Sequence, residues 1–130
     1  MTLQFTDRCL FLLNNLDLPA ATGVDEARWE YFQIEHLCDD STFRIQNKSR
    51  QIAWSFLAAM EAVANASLYG ISSMFQSMNL DEAKEKIVYV QRIHENLRVT
   101  GLPKIVRSNQ LELVFANGAR LLSSPGTPQR

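Results

Sequence analysis

The sequence predicts an α/β fold, a partly parallel sheet that ends in a C-terminal hairpin and is flanked by helices. Three observations predict it. Segments of helical spacing alternate with short segments of apolar–polar alternation, the order that builds parallel βα units. Residues 56–69 are apolar on nearly every side, as a helix buried against a sheet is. Leu111, Leu113 and Phe115 alternate into Asn117-Gly118, a strong two-residue hairpin signal.

A first helix is predicted over residues 6–15, with Thr6 as its N-cap. Residues 18–24 read as a loop because they carry Pro19 and Gly23. A second helix starts near Asp25, whose carboxylate can accept the free N–H groups of a first turn, and it gathers Trp29, Phe32 and Leu37 on one side. Asp39-Asp40-Ser41 ends it. Residues 42–47 alternate, with Phe43 and Ile45 inward, and read as a strand. The apolar helix follows, stopped by Gly70, and residues 71–76 form another short strand. Asn79 caps a long helix with Asp81 and Glu82 in its first turn, where negative charge suits the helix dipole. Leu80, Ala83, Ile87, Val90, His94 and Leu97 mark its stripe, and Gly101 and Pro103 stop it. Residues 104–107 read as a strand, and residues 120–124 return from the hairpin. Residues 1–24 are thus an N-terminal helix and linker, and residues 25–130 one α/β unit.

Composition bounds the function. A chain of 130 residues with 46% hydrophobic and 21% charged residues fits one domain with a core and is not a disordered tail. The apolar run 56–66 is broken by Glu61 and is too short for a bilayer. Residues 9–13 lack a basic leader, so the expected location is the cytoplasm, with no membrane. Cys9 and Cys38 form no CxxC and read as free thiols of a reducing compartment. With 13 Lys and Arg against 14 Asp and Glu, the chain is not a basic nucleic-acid coat. Arg98, Lys104 and Arg107, near Arg120 and Arg130, form a loose basic cluster that reads as a DNA-phosphate contact or, favoured by the near-neutral total charge, as a solvated face. His36 and His94 lack partners at metal-ligand spacing, and His94 reads as a half-buried packing residue. No G-x-S-x-G elbow marks a serine nucleophile.

The segment that carries chemistry is Lys48-Ser49-Arg50-Gln51-Ile52-Ala53-Trp54-Ser55. A strand turning directly into a buried helix is how phosphate-binding loops are built, since loop N–H groups and the positive end of the helix dipole converge on an anion. The pattern G-x-x-x-x-G-K-[ST] matches it only at Ser55. Lys48 or Arg50 can supply the cation from the start of the loop, and Ser55 the hydroxyl for Mg²⁺. On spacing alone, an ordinary strand-to-helix corner with solvated Lys48 and Arg50 describes the same residues.

This segment, with Phe43-Arg44-Ile45 before it, resembles the ATPase motor of the large terminase subunit of tailed bacteriophages, which packages DNA into procapsids. That family often carries a deviant phosphate loop, K-[SA]-R-Q-x-G-[aromatic]-[ST]. The resemblance implies that Lys48 is the phosphate lysine, that Arg50 and Gln51 match the R-Q pair, and that Ser55 is the Mg²⁺-side hydroxyl. Ala53 stands where the family has glycine, so at most weak nucleotide binding is implied. Trp29-Glu30-Tyr31-Phe32-Gln33 resembles the adenine-contacting segment, with Gln33 on the base edge and Phe32 or Trp29 on its face. The two aromatics read equally as core of an amphipathic helix. Asn117-Gly118-Ala119-Arg120 and the segment Ser123-Ser124-Pro125-Gly126 resemble the family's N-G-[SA]-x-I-x-x-x-P stretch.

The likeness runs from about Trp29 to Arg130. It implies an incomplete P-loop NTPase-type sheet with ATP and Mg²⁺ as cofactors. It also implies the small terminase subunit, the portal protein, double-stranded DNA and the remainder of the large subunit as partners. A homo-oligomeric ring in the bacterial host cytoplasm is implied for the intact protein. No apolar run ending in Asp-Glu occurs in the 130 residues, and no nuclease carboxylates follow. The expectation is the front part of an ATPase domain, truncated before the Walker B strand and without turnover alone. A nucleotide-free interaction module or a decayed prophage remnant is the alternative. An unrelated helicase-like ATPase would show an intact G-K-[ST]. A sheet lacking later strands would leave an open apolar edge beside Phe43 and Ile45, so self-association is expected.

Overall fold

The computed structural model describes residues 7–39, 54–99 and 101–125. They form a mixed α/β fold in which a four-stranded sheet of parallel and antiparallel pairs packs with helices. The helices are α1 (Asp7–Asn15), α2 (Leu18–Thr22), α3 (Tyr31–Leu37), α4 (Trp54–Tyr69) and α5 (Leu80–Glu95). The strands are β1 (Ser73–Ser77), β2 (Ile105–Ser108), β3 (Glu112–Phe115) and β4 (Arg120–Pro125). The strand predicted over 42–47 lies outside the described residues.

Two predicted segments differ. Residues 18–22 are the short helix α2, although Pro19 marked them as loop. The proline occupies the first turn, where its missing N–H has no helical acceptor to lose. Gly23, at φ 75°, closes the turn by donating its N–H to Pro19 O at 2.9 Å. The second predicted helix starts at Tyr31, well after Asp25, because Glu30 and Gln33 form a capping box there. Trp29 therefore lies ahead of α3 in non-helical chain.

The long helices follow their predicted signals. Helix α4 ends at Gly70, which at φ 67° takes the left-handed conformation and donates its N–H to Ala66 O. Helix α5 starts at Asn79, whose Oδ1 accepts from Glu82 N at 2.9 Å. Its buried stripe is Ala83, Ile87, Val90 and Ile93.

The sheet runs β1-β4-β3-β2. Strand β4 pairs parallel with β1, Phe75 opposite Ser123, and antiparallel with β3, Leu113 opposite Leu121. Strand β2 completes the sheet antiparallel to β3 through a register irregularity between Ile105 and Arg107. Alternation assigns the faces. Leu113, Phe115, Leu121 and Ser123 are buried, and Ser123 Oγ donates to Ala83 O of α5 at 2.7 Å. Met74, Gln76 and Arg120 occupy the other face and are exposed, with Arg120 paired to Glu112 at 2.6 Å.

The apolar helix was expected against the sheet; the helix found there is α5. Helix α4 packs on α5 and on α1, so nearly every side of it meets a helix or the core. The Phe56 ring meets Tyr89 of α5 edge-on, with centroids 5.8 Å apart. Cys9 and Leu12 of α1, Ala21 of α2 and Leu16 between the two helices join the same hydrophobic core as α4, α5 and the sheet. The backbone ties that hold them include Arg98 N donating to Asn15 O at 2.7 Å.

The hairpin forms where predicted, but its loop has three residues, 116–118. Phe115 N donates to Ala119 O at 2.9 Å, and Gly118 adopts φ 92°. A turn followed by a left-handed glycine matches the twist of the strands as well as a two-residue loop does. Asn117 explains its own presence there. Its Nδ2 donates to Ala66 O of α4 at 2.7 Å, and its Oδ1 accepts from Ala119 N at 3.1 Å. Asn117→Ala removes both bonds and is expected to lower stability by about 2 kcal/mol. The check is a urea titration in which the midpoint falls while the slope is unchanged.

Candidate functional site

The predicted site residues fall into two groups. Of the phosphate-loop segment, Lys48, Ser49, Arg50, Gln51, Ile52 and Ala53 lie outside the described residues. Trp54 opens α4, and Ser55 follows in its first turn, half-buried. The start of a 16-residue helix is where N–H groups have no partner within the helix and where the positive end of its dipole lies. The first turn of α4 carries no acidic residue, whereas α5 has Asp81 and Glu82 in its own. An anion is therefore better accommodated at the start of α4 than at the start of α5.

The adenine candidates sit around the start of α3. Trp29 and Phe32 are partly buried and pack against the core. Gln33 is buried, and its Oε1 accepts the N–H of Glu30 at 2.9 Å. One lone pair of the amide oxygen thus holds the helix start. The free carboxamide expected for reading a base with both donor and acceptor is replaced by one whose Nε2 donors are the part left for a ligand.

A polar cluster that no sequence motif announced joins α3 to α4. Arg8 of α1 donates from Nε to Leu37 O at 3.0 Å and from Nη2 to Asp39 O. Its guanidinium also lies 4.0 Å from Glu61 of α4, and the same carboxylate meets His36 of α3. Arg8, His36 and Glu61 side chains are each about nine-tenths buried. Glu61 lies six residues beyond Ser55, about 9 Å along the helix axis. The end of α3 is thereby held within two turns of the α4 N-terminus. The signal present in the sequence is Glu61 itself, the single charge in an otherwise apolar run, since a buried charge needs a partner.

Cys9 lies beside this cluster. Burial pushes its thiol from 9.0 up to about 12, helped by the neighbouring Cys38, while Arg8 acts in the opposite direction. The folded chain therefore holds a proton that the unfolded chain releases from about pH 9 upward. Stability contributed by the neutral thiol is present below that pH and is lost as pH rises toward 12. The Tyr89 phenol is also raised, first by its hydrogen bond to Glu85 and then by burial, and it adds to the same alkaline loss. Cys9→Ser is expected to flatten the fall of the urea midpoint between pH 9 and pH 11.5 relative to the native chain. An unchanged slope would show that the thiol is not held neutral by folding.

Among the described residues, no three His, Cys, Asp or Glu side chains converge as metal ligands. No described helix is long and apolar enough to cross a membrane. No family model matches the chain, and no curated protein or solved structure matches it.

Proposed function

We propose that the chain binds a nucleoside triphosphate, with Mg²⁺, where residues 48–53 lead into α4, and that it serves a DNA-packaging motor of the terminase type. The observation that carries this reading is the start of α4 at Trp54, which sets Ser55 in the first turn of a helix free of acidic residues there. The residues fit the group in kind. Of the hydroxyl and carboxylate that hold Mg²⁺ in such loops, these residues supply the hydroxyl, Ser55, and the nucleotide phosphates and water would supply the other ligands.

In this reading Lys48 neutralises the outer phosphates, Arg50 and Gln51 line the approach, and the amides at the start of α4 cradle the polyanion. Ser55 contributes the Mg²⁺-side oxygen. Phe32 and Trp29 support the base, and Gln33 donates to it from Nε2. Bound Mg²⁺ would supply charge neutralisation for phosphoryl transfer. None of these residues is a carboxylate that could place the metal or an attacking water, so binding without turnover is the expected activity. The P-loop-type sheet, the small terminase subunit, the portal protein, double-stranded DNA and a homo-oligomeric ring belong to the same reading. The second reading, an interaction module without nucleotide chemistry, is favoured by Ala53 in place of glycine and by the engaged carbonyl of Gln33.

Thermal unfolding with and without 1 mM Mg-ATP separates the two. For a dissociation constant of about 0.1 mM, the melting temperature is expected to rise by about 3–6 °C. Lys48→Ala is expected to abolish the rise. An unmoved melting temperature, or an equal rise in Lys48→Ala, would leave the interaction module as the better account.

A further inference from the structure

Cys9 and Cys38 are 29 positions apart in sequence, yet the fold makes them neighbours across the α1–α3 junction. Cys9 lies in α1 with no exposed surface, and Cys38 is the C-cap of α3 and partly exposed. Arg8, the residue before Cys9, donates to Leu37 O and Asp39 O, the carbonyls on either side of Cys38. That clasp fixes the end of α3 against the first turn of α1. Both cysteines belong to one packed cluster, in which Cys38 is a close enough neighbour to help raise the Cys9 thiol. Neither is in a disulfide.

We infer that Cys9 and Cys38 are a redox modification site, which closes to an intramolecular disulfide in the presence of a small-molecule disulfide such as oxidised glutathione. The Arg8 clasp keeps the two thiols on neighbouring backbone, so that closing to the bonding distance of about 2 Å needs no rearrangement of either helix. The exchange has two steps. Cys38, the accessible thiol, loses its proton to solvent and attacks one sulfur of oxidised glutathione. The glutathione S–S bond breaks, a Cys38–glutathione bond forms, and the released thiolate takes up a proton. Cys9 then loses its proton to solvent and attacks the Cys38 sulfur, expelling the second glutathione as a thiolate that is protonated in turn. Two protein thiols are oxidised and one oxidised glutathione is reduced to two thiols. Burial holds the Cys9 proton, so the second step is the slower one. The bond fastens α1 to the end of α3, from which the chain runs on toward Lys48.

The test exposes the native chain to excess oxidised glutathione at pH 8, then traps remaining thiols in acid and denaturant. The native chain is expected to pass through a species carrying one glutathione. It should end two hydrogens lighter than at the start, as a monomer on a non-reducing gel. Trypsin should release the peptides Cys9–Arg28 and Trp29–Arg44 as one linked pair, separable by reduction. Cys9→Ser should stop at one glutathione on Cys38, and Cys38→Ser should react at least about 100-fold more slowly than the native chain. A native chain that keeps its glutathione on Cys38, stays reduced at both positions, or cross-links only between molecules would overturn the inference. The time course of the native chain decides the matter even if a variant fails to fold.

Discussion

Phe115→Ala is expected to lower the stability of the chain by about 4 kcal/mol, because it empties a ring-sized space in the core. Phe115 is 1% exposed, on the β3 residue that ends the strand at the hairpin. Its ring meets His94 of α5 edge-on at 5.4 Å, and Leu113 and Leu121 are buried with it. The ring thus fills the space between the sheet and α5, and its loss leaves a cavity that a sheet pinned at both ends of β3 cannot close. Against a total stability of about 5–15 kcal/mol for a domain, this would bring the chain near its unfolding threshold. Phe115→Leu, which keeps most of the volume, should cost less than half as much. Urea unfolding of both variants gives the comparison. A loss under about 2 kcal/mol for the alanine variant would mean that α5 and the sheet are not packed as described.

The second large effect is expected at Arg8. Its side chain is 11% exposed and serves three acceptors, Leu37 O, Asp39 O and the Glu61 carboxylate. Arg8→Met keeps the volume but removes the charge and the donors, and it leaves His36 as the one cation-forming side chain described beside Glu61. The cost is expected to be about 3 kcal/mol, shared between the two lost bonds to Leu37 O and Asp39 O and the weakened compensation of the Glu61 charge. Glu61→Leu should cost less in the Arg8→Met background than in the native chain, because part of what the carboxylate contributes is its attraction to Arg8. If Glu61→Leu costs the same in both backgrounds, the two side chains do not act as a pair.

The parts of the fold legible in the sequence are those whose signals are local. Asn79 with Asp81 and Glu82, Gly70 after an apolar run, and Asn117-Gly118 each mark a chain reversal or helix end through their own backbone chemistry. The misplaced elements are those where two local signals compete. Pro19 breaks a helix in its interior but is harmless in a first turn, and Asp25 is as good a cap as Glu30 until Gln33 closes the box. Tertiary neighbours were not legible. An all-round apolar α4 fits a sheet or a layer of helices equally well, and only the structure shows α1 and α5 around it. The candidate site divides the same way. Ser55 at a helix start follows from the sequence pattern. The Arg8, His36 and Glu61 cluster and the nearness of Cys38 to Cys9 join residues 25 to 53 positions apart, which no spacing rule connects.

The position of β4 has a consequence for the birth of the molecule. It stands between β1 and β3, so the strand synthesised after the other three is the one that bridges them. While the ribosome is still adding residues 120–125, β1 has no described neighbour and α5 has only part of its platform. The helices can assemble as they emerge, but the sheet closes in one late event that spans about fifty residues of chain. Nascent chains released before that point would lack β4, the described partner of β1, and they are the species a chaperone would meet.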